Sequence, residues 1–202
     1  MLSTRKSAGT RRSMSVSPAA PPPKPTPAKP RWRRWRRWRR WLVDIALIIL
    51  VVTGVQLWQS RNVPAGLAPD FDAVMVDGSS TRLDDWRRTH PGQPVGLYFW
   101  AEWCPICSAQ QGSVDKVQDS YPVLTVAMQS GDAAAVKRYL NEQQLDWVTA
   151  IDADGGIAAQ YGLRGVPALI TIAPDGQIRS VAIGYTTEIG MRLRLWWAGF
   201  GL

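Results

Sequence analysis

The chain has 202 residues and a formal net charge of +8, from 24 Lys/Arg against 16 Asp/Glu. Residues 1–41 hold 13 basic and no acidic residues, so residues 42–202 carry a net charge of −5. The two cysteines are too few for the multiple-disulfide scaffold of small secreted domains, and with only one His a structural zinc site lacks ligands. The cysteine pair is therefore a redox dithiol, half of a metal site or a coincidence.

The first 41 residues predict a tail followed by a basic, Trp-rich segment. Residues 1–30 are rich in Ser, Pro and Ala and have too few apolar residues to form a core, which predicts disorder. Residues 31–41 read Arg-Trp-Arg-Arg-Trp-Arg-Arg-Trp-Arg-Arg-Trp, a pattern that suits nucleic acid, a membrane-surface helix or a juxtamembrane anchor. Because an apolar run follows at once, we favour an anchor in contact with lipid and do not expect nucleic-acid binding.

The apolar run at 42–58 predicts a transmembrane helix. Together with Trp41 it has 18 residues, which at about 1.5 Å per residue span roughly 27 Å, just enough for a hydrocarbon core. The basic residues before it, against Arg61 alone just after it, place the N-terminus in the cytoplasm. We therefore expect a single-pass inner-membrane protein whose remaining chain lies in the periplasm or at the outer cell surface, where disulfides persist.

Residues 59–67 read as a short linker, and 68–202 as one α/β domain. A hairpin or turn is predicted over 73–83, and apolar runs predict strands at 95–99, 123–128, 147–151, 168–173 and 178–183. Helices are predicted near 84–86, at 108–118, after an Asp132 cap, at 157–161 and at 188–197. In the last helix, Trp196 and Trp197 are interpreted as core and surface packing.

A C-x-x-C motif holds both cysteines, Cys104 and Cys107, between a predicted strand and a predicted helix. The free N–H groups and positive dipole end of a helix start stabilise a thiolate, which lowers the pKa of the first cysteine. Cys107 lies nearly one helical turn further on, close enough to close a disulfide. We expect the chemistry at this junction.

Residues 100–107, Trp-Ala-Glu-Trp-Cys-Pro-Ile-Cys, resemble the active site of the thioredoxin fold. Gly165-Val166-Pro167 is similar to the cis-proline loop of that fold, and Pro174-Asp175-Gly176 to its strand-to-strand turn. Over roughly residues 68–200, with the predicted anchor and an extra helical insert, the chain is similar to the membrane-tethered TlpA, ResA and CcmG branch, most of all to the copper-sensitivity suppressor D proteins. The resemblance implies a central mixed sheet flanked by helices.

The resemblance also implies a thiol–disulfide oxidoreductase whose only redox group is the Cys104–Cys107 disulfide, with no other cofactor and no metal. Cys104, exposed at the helix start, would exchange with a substrate disulfide, and the more buried Cys107 would resolve the mixed disulfide. The implied partners are thiols and disulfides of exported proteins and an integral-membrane dithiol protein that restores the redox state.

Five further residues have supporting roles implied by the resemblance. A cis Pro167 would lie against the dithiol and present the Val166 backbone to the substrate, and Trp103 would shield one side of the site. Pro105 and Ile106 occupy the two positions between the cysteines. Strongly oxidising members of the family have a His there, so its absence implies intermediate reactivity.

Two positions depart from the family pattern. Many tethered reductases have a Glu three residues after the second cysteine, where this chain has Gln110. Thioredoxin has a buried Asp six residues before the first cysteine, where this chain has Tyr98. Because neither carboxylate is present to handle protons, reduction, oxidation and isomerisation all stay open.

A copper(I)-binding module is the alternative function, because two thiolates can hold Cu(I) linearly. Copper carriers of related fold typically space their cysteines one residue wider and add a distant His, which this chain lacks.

Overall fold

The computed structural model describes residues 31–200. Helix α1 extends over Arg31–Ser60 and includes the predicted span at 42–58. In the part of the chain that is described, no helix combines the length and apolarity needed to cross a membrane. The transmembrane helix therefore stays a prediction, and the predicted tail at 1–30 lies outside the described residues. The chain divides within α1, between Ile45 and Ala46, into two compact units.

A five-stranded mixed sheet forms the centre of the second unit, in the order β5-β4-β3-β6-β7. Its strands are β3 (Val95–Trp100), β4 (Val123–Met128), β5 (Thr149–Asp152), β6 (Ala168–Ile172) and β7 (Ile178–Ile183). The central strand β3 pairs parallel with β4 and antiparallel with β6. A separate antiparallel hairpin, β1 (Asp72–Val74) and β2 (Ser80–Arg82), precedes the sheet.

Five helices accompany the sheet: α2 (Leu83–Arg88), α3 (Pro105–Gln118), α4 (Ala133–Glu142), α5 (Gly156–Gln160) and α6 (Glu188–Ala198). The predicted cap of α4 is confirmed, because Asp132 Oδ1 accepts a hydrogen bond from the Ala135 N–H at 2.8 Å. The predicted start of β5 at Trp147 is wrong by two residues. The Trp147 indole instead donates a hydrogen bond to the Asp115 carboxylate on α3, and ladder pairing begins at Thr149.

The two faces of β3 pack into two cores, which explains why its residues are apolar throughout. Leu97 and Phe99 lie in one core with residues of α2 and α5. Tyr98 and Trp100 lie in the other core, with Cys104, Cys107 and buried residues of α3, α4 and α6. A strand buried on both faces reads as a continuous apolar run, and its C-terminal end delivers the chain to the cysteines.

The antiparallel pairing of β3 and β6 gives the sheet two distinguishable ends. Phe99 pairs with Ala168 at the end that leads to the cysteines, and we call this the disulfide end. Val95 pairs with Ile172 at the other end, which we call the distal end. The turn between β6 and β7 follows Ile172 and therefore lies at the distal end, whereas the Val166–Pro167 loop precedes Ala168 and lies at the disulfide end.

Candidate active site

Cys104 and Cys107 form a disulfide at the start of α3, with their Cα atoms 5.3 Å apart. Cys104 is the N-cap of this helix, and its Sγ accepts a hydrogen bond from the Cys107 N–H at 3.2 Å. The helix begins directly after Cys104, three residues earlier than the predicted start at 108. The helix N-terminus therefore faces the Cys104 sulfur, and this geometry favours a thiolate there once the disulfide is reduced.

Both cysteines are buried, which corrects the expectation that Cys104 is exposed. Its exposed fraction is 5%, and that of Cys107 is 2%. Cys104 Sγ lies between the Cys107 N–H and the carbonyl oxygen of Val166, 3.7 Å away, and these neighbours cover it. Cys107 is the more buried of the two, as predicted, and attack by a substrate on Cys104 stays a prediction.

The proline loop lies against the disulfide. The Val166–Pro167 peptide is cis, as the resemblance implied. Pro167 is buried and Val166 is half-buried, with its carbonyl directed at the Cys104 sulfur. The fold thus brings together two segments sixty residues apart in sequence, because β6 starts beside the end of β3. Pairing of the Val166 backbone with a substrate stays a prediction.

Three of the predicted residues are exposed around the disulfide. Trp103 and Ile106 are 56% and 52% exposed, and Pro105 is exposed as well. The Trp103 indole donates a hydrogen bond to the carbonyl oxygen of Gln129 at 3.0 Å, which connects the motif to the loop after β4. These side chains offer an apolar rim to a substrate, and the predicted shielding role of Trp103 stays a prediction.

A third segment, residues 184–186, also borders the site and was not predicted from the sequence. The Gly184 N–H donates to the Pro167 carbonyl at 2.8 Å, and the Thr186 N–H donates to Gln110 Oε1 at 3.1 Å. Tyr185 lies between these two contacts and is 56% exposed. The segment therefore joins the proline loop to α3. A signal for it was available, since a glycine directly after a strand suits a turn, and Gly184 has φ +90°.

The two positions that replace family carboxylates are both buried in the core beside the cysteines. Gln110 is 1% exposed and uses its amide oxygen to hold the Thr186 backbone. Tyr98 is fully buried, and its hydroxyl has no hydrogen-bond partner among the described residues. Burial, with a smaller effect from Tyr139, raises the pKa of Tyr98 well above its usual range. The Tyr98 phenol therefore stays protonated and does not replace a carboxylate as a proton acceptor.

The family model described as AhpC/TSA family matches residues 64–181, more than half of the chain. The chain belongs to the AhpC/TSA family. The match extends from the linker to β7 and includes the cysteines and the proline loop. It therefore rests on the same residues that the structure brings together.

Individual relatives of this AhpC/TSA family member have thioredoxin or thiol-disulfide oxidoreductase names. A thioredoxin-like protein of Haemophilus influenzae is 29% identical over 109 residues, 54% of this chain and 65% of the relative, so the match spans slightly less than two thirds of that protein. The thiol-disulfide oxidoreductase ResA of Bacillus thuringiensis is 29% identical over 125 residues, 60% of this chain and 70% of the relative. The structure of the exposed lipoprotein thioredoxin Etrx1 of Streptococcus pneumoniae is 28% identical, with a TM-score of 0.54 over 64% of this chain and 99% of that one.

These similarities confirm the predicted thioredoxin fold, a central mixed sheet flanked by helices. They also confirm the predicted class of enzyme, a thiol–disulfide oxidoreductase with a paired C-x-x-C. Substrates of this class are thiols and disulfides.

Proposed function

We propose that the chain is a membrane-anchored oxidoreductase that exchanges disulfides with exported proteins outside the cytoplasm. The observation that carries the proposal is the Cys104–Cys107 disulfide, placed at the first turn of α3 and against the cis-proline loop. Support for the location comes from the apolar run at 42–58 after a basic segment. The pneumococcal structural relative is named an exposed lipoprotein, which fits an exported domain.

The proposed exchange proceeds through two sulfur transfers. In the reducing direction, the Cys104 thiolate attacks a substrate disulfide, forms a bond to one substrate sulfur and releases the other as a thiolate. The Cys107 thiol then loses its proton and attacks Cys104, which closes the protein disulfide and releases the remaining substrate sulfur. The substrate gains two electrons that the protein dithiol loses, and the oxidising direction is the reverse.

The direction of net electron flow depends on the reduction potential and on the recycling partner. The motif between the cysteines, Pro105-Ile106, suggests a potential between those of strong reductants and strong oxidants. We propose an integral-membrane dithiol protein as the partner, because an enzyme fixed in the membrane can meet it by lateral diffusion. Among tethered enzymes we propose the copper-sensitivity suppressor D type, and the similarity to ResA supports the wider tethered branch. The family and the relatives' names do not favour the copper(I) alternative.

The test of the chemistry is a trapping experiment in cells. Without Cys107 a mixed disulfide on Cys104 is not resolved, so we expect Cys107→Ser to accumulate exported proteins as adducts that reductant releases. Cys104→Ser, matched in side chain and lacking only the nucleophile, should accumulate none. Absence of adducts with Cys107→Ser would contradict the resolving role.

The test of the location is separate. We expect the full chain to remain in the membrane fraction after alkaline carbonate extraction, and a variant lacking residues 42–58 to leave it. We also expect a periplasmic reporter fused to Leu202 to be active. A full chain that carbonate extracts from the membrane would contradict the anchor. Activity from a reporter that works only in the cytoplasm, fused at the same residue, would contradict the proposed orientation. Neither result would bear on the sulfur chemistry.

A further inference from the structure

The outer face of α6 has a row of exposed apolar side chains that the active site does not use. Ile189, Leu193 and Trp196 share one face of the helix at spacings of four and three residues, and Phe200 lies four residues further on, in the turn after α6. Their exposed fractions lie between 53% and 71%, and Trp197 beside them is 62% exposed. Trp196 and Phe200 contact each other edge to face, with ring centroids 4.5 Å apart.

This row is not part of the core, which uses the opposite face of the same helix. Met191, Leu195 and Ala198 are the buried residues of α6, and the first two pack into the core that also holds the cysteines. The expectation that one of Trp196 and Trp197 is a core residue is therefore wrong, since both are more than half exposed. A helix that is apolar on both faces has a second apolar surface to cover.

The aromatic end of α6 lies at the distal end of the domain. At its start, the Thr186 backbone is held by Gln110, six residues into α3. At its C-terminal end, a Cβ added at Gly199 would lie 3.5 Å from Pro94, the residue before β3. Since β3 has six residues at about 3.3 Å each, Trp196, Trp197 and Phe200 are roughly 20 Å of sheet away from the disulfide.

The linker touches the domain at Asn62, beside Gly162, and then crosses this same distal end. The Ala68 N–H donates to the Gly176 carbonyl at 2.9 Å, and the Ile178 N–H donates to the Gly66 carbonyl at 2.8 Å. These contacts lie on the β6–β7 turn, which follows the pairing of Ile172 with Val95. Leu67, between the two linker contacts, is 69% exposed. The last residues of the linker and the exposed aromatic residues thus share one end of the domain.

We propose that the distal end of the domain, with Trp196, Trp197 and Phe200 at its centre, rests in the headgroup region of the lipid bilayer. The proposal rests on the proposed membrane anchor. Residues 59–67 span at most about 30 Å even when extended, so the distal end lies within that distance of the end of the predicted anchor. Trp and Phe are enriched on protein surfaces that lie in the membrane interface. The apolar faces of interfacial helices are buried about 5–10 Å deep, at the boundary between headgroups and acyl chains.

The consequence is an orientation for the enzyme. With the distal end on the lipid, the disulfide end points away from the membrane, into the compartment where exported proteins fold. Trp103, Ile106 and Tyr185 then remain free to meet a substrate. The anchor would attach the protein to the membrane, and the exposed face of α6 would fix the orientation of the domain on the membrane surface.

The test uses the full chain reconstituted in phosphatidylcholine/phosphatidylglycerol vesicles, with and without bromine on the acyl chains. Bromine quenches only indoles that reach the lipid. Subtracting the emission of the Trp196→Phe/Trp197→Phe variant from that of the parent gives the signal of these two indoles. Trp103→Phe provides the matched control, because Trp103 is similarly exposed, at 56%, but lies at the disulfide end.

We expect the Trp196/Trp197 difference emission to be blue-shifted and to lose most of its intensity in brominated vesicles, while the Trp103 difference emission keeps its intensity. Equal intensities with and without bromine would overturn the proposal. A blue-shifted but unquenched signal in a chain that crosslinks as a dimer would also overturn it, in favour of a second copy on this face. A full chain that does not float with vesicles would refute the anchor itself, which is a separate result.

Discussion

The most informative single substitution is Gln110→Ala, because Gln110 joins α3 to the segment that borders the active site. The variant removes the acceptor of the Thr186 N–H, a hydrogen bond of 3.1 Å whose net contribution is about 1 kcal/mol. It also removes a buried methylene, worth about 0.8 kcal/mol, from a side chain only 1% exposed. We therefore expect the free energy of unfolding to fall by about 2 kcal/mol.

The assay is urea unfolding of the oxidised protein, followed by far-ultraviolet circular dichroism. Gln160→Ala is the matched control: Gln160 also bonds to a backbone group, since its Nε2 donates to the Asp70 carbonyl at 2.9 Å, but it is exposed. Its truncation should cost no more than about 0.5 kcal/mol. Gln110→Glu keeps an acceptor oxygen, and since burial raises the pKa of a carboxyl, stability should be kept at acidic pH and lost as pH rises and the carboxyl ionises.

Equal losses of unfolding free energy for Gln110→Ala and Gln160→Ala would refute the reasoning, because they would show that the buried amide of Gln110 does not stabilise the 184–186 segment. A Gln110→Glu variant whose stability rises with pH would refute it as well, since the site would then favour a charge.

Two further substitutions test the core and the linker. Tyr98→Phe removes a buried hydroxyl that has no partner among the described residues, so unfolding should cost about 1 kcal/mol more; a loss of stability in urea would reveal a partner. Gly162→Ala should destabilise more than Gly78→Ala in the same assay. Both glycines have positive φ, but a Cβ at Gly162 would overlap the backbone of Asn62, whereas Gly78 faces open space. Equal losses of unfolding free energy for the two variants would contradict the contact between Gly162 and Asn62.

Much of the domain follows from short-range patterns in the sequence. The strands beside the site are apolar runs because both faces of the sheet are covered. Asp132 predicts the start of α4 because Asp is a favoured N-cap, and its side chain accepts the expected hydrogen bond. The C-x-x-C and the Gly-Val-Pro loop were found as motifs. That they meet follows from the antiparallel pairing of β3 and β6, which local patterns did not predict. The resemblance implied only that the proline loop lies against the dithiol.

What the sequence did not predict depends on tertiary contacts. The burial of Cys104 comes from the Val166 carbonyl, sixty residues away, and the border segment 184–186 depends on the side chain of Gln110. The exposure of Trp196 and Trp197 could not be read from a helix that is apolar on most sides. Which of its faces meets the core is decided by packing against α3 and the sheet.

The most direct measurement is the pH dependence of the alkylation of Cys104 by iodoacetamide, in the reduced Cys107→Ser variant, where only one thiol reacts. Cys104 lies at the N-cap of α3, with the N–H of residue 107 directed at its sulfur. We expect its pKa to lie clearly below the value of about 8.5 for an ordinary thiol. A Cys104 that reacts only above that pH would show that the helix start does not activate the sulfur, and would contradict the proposed chemistry.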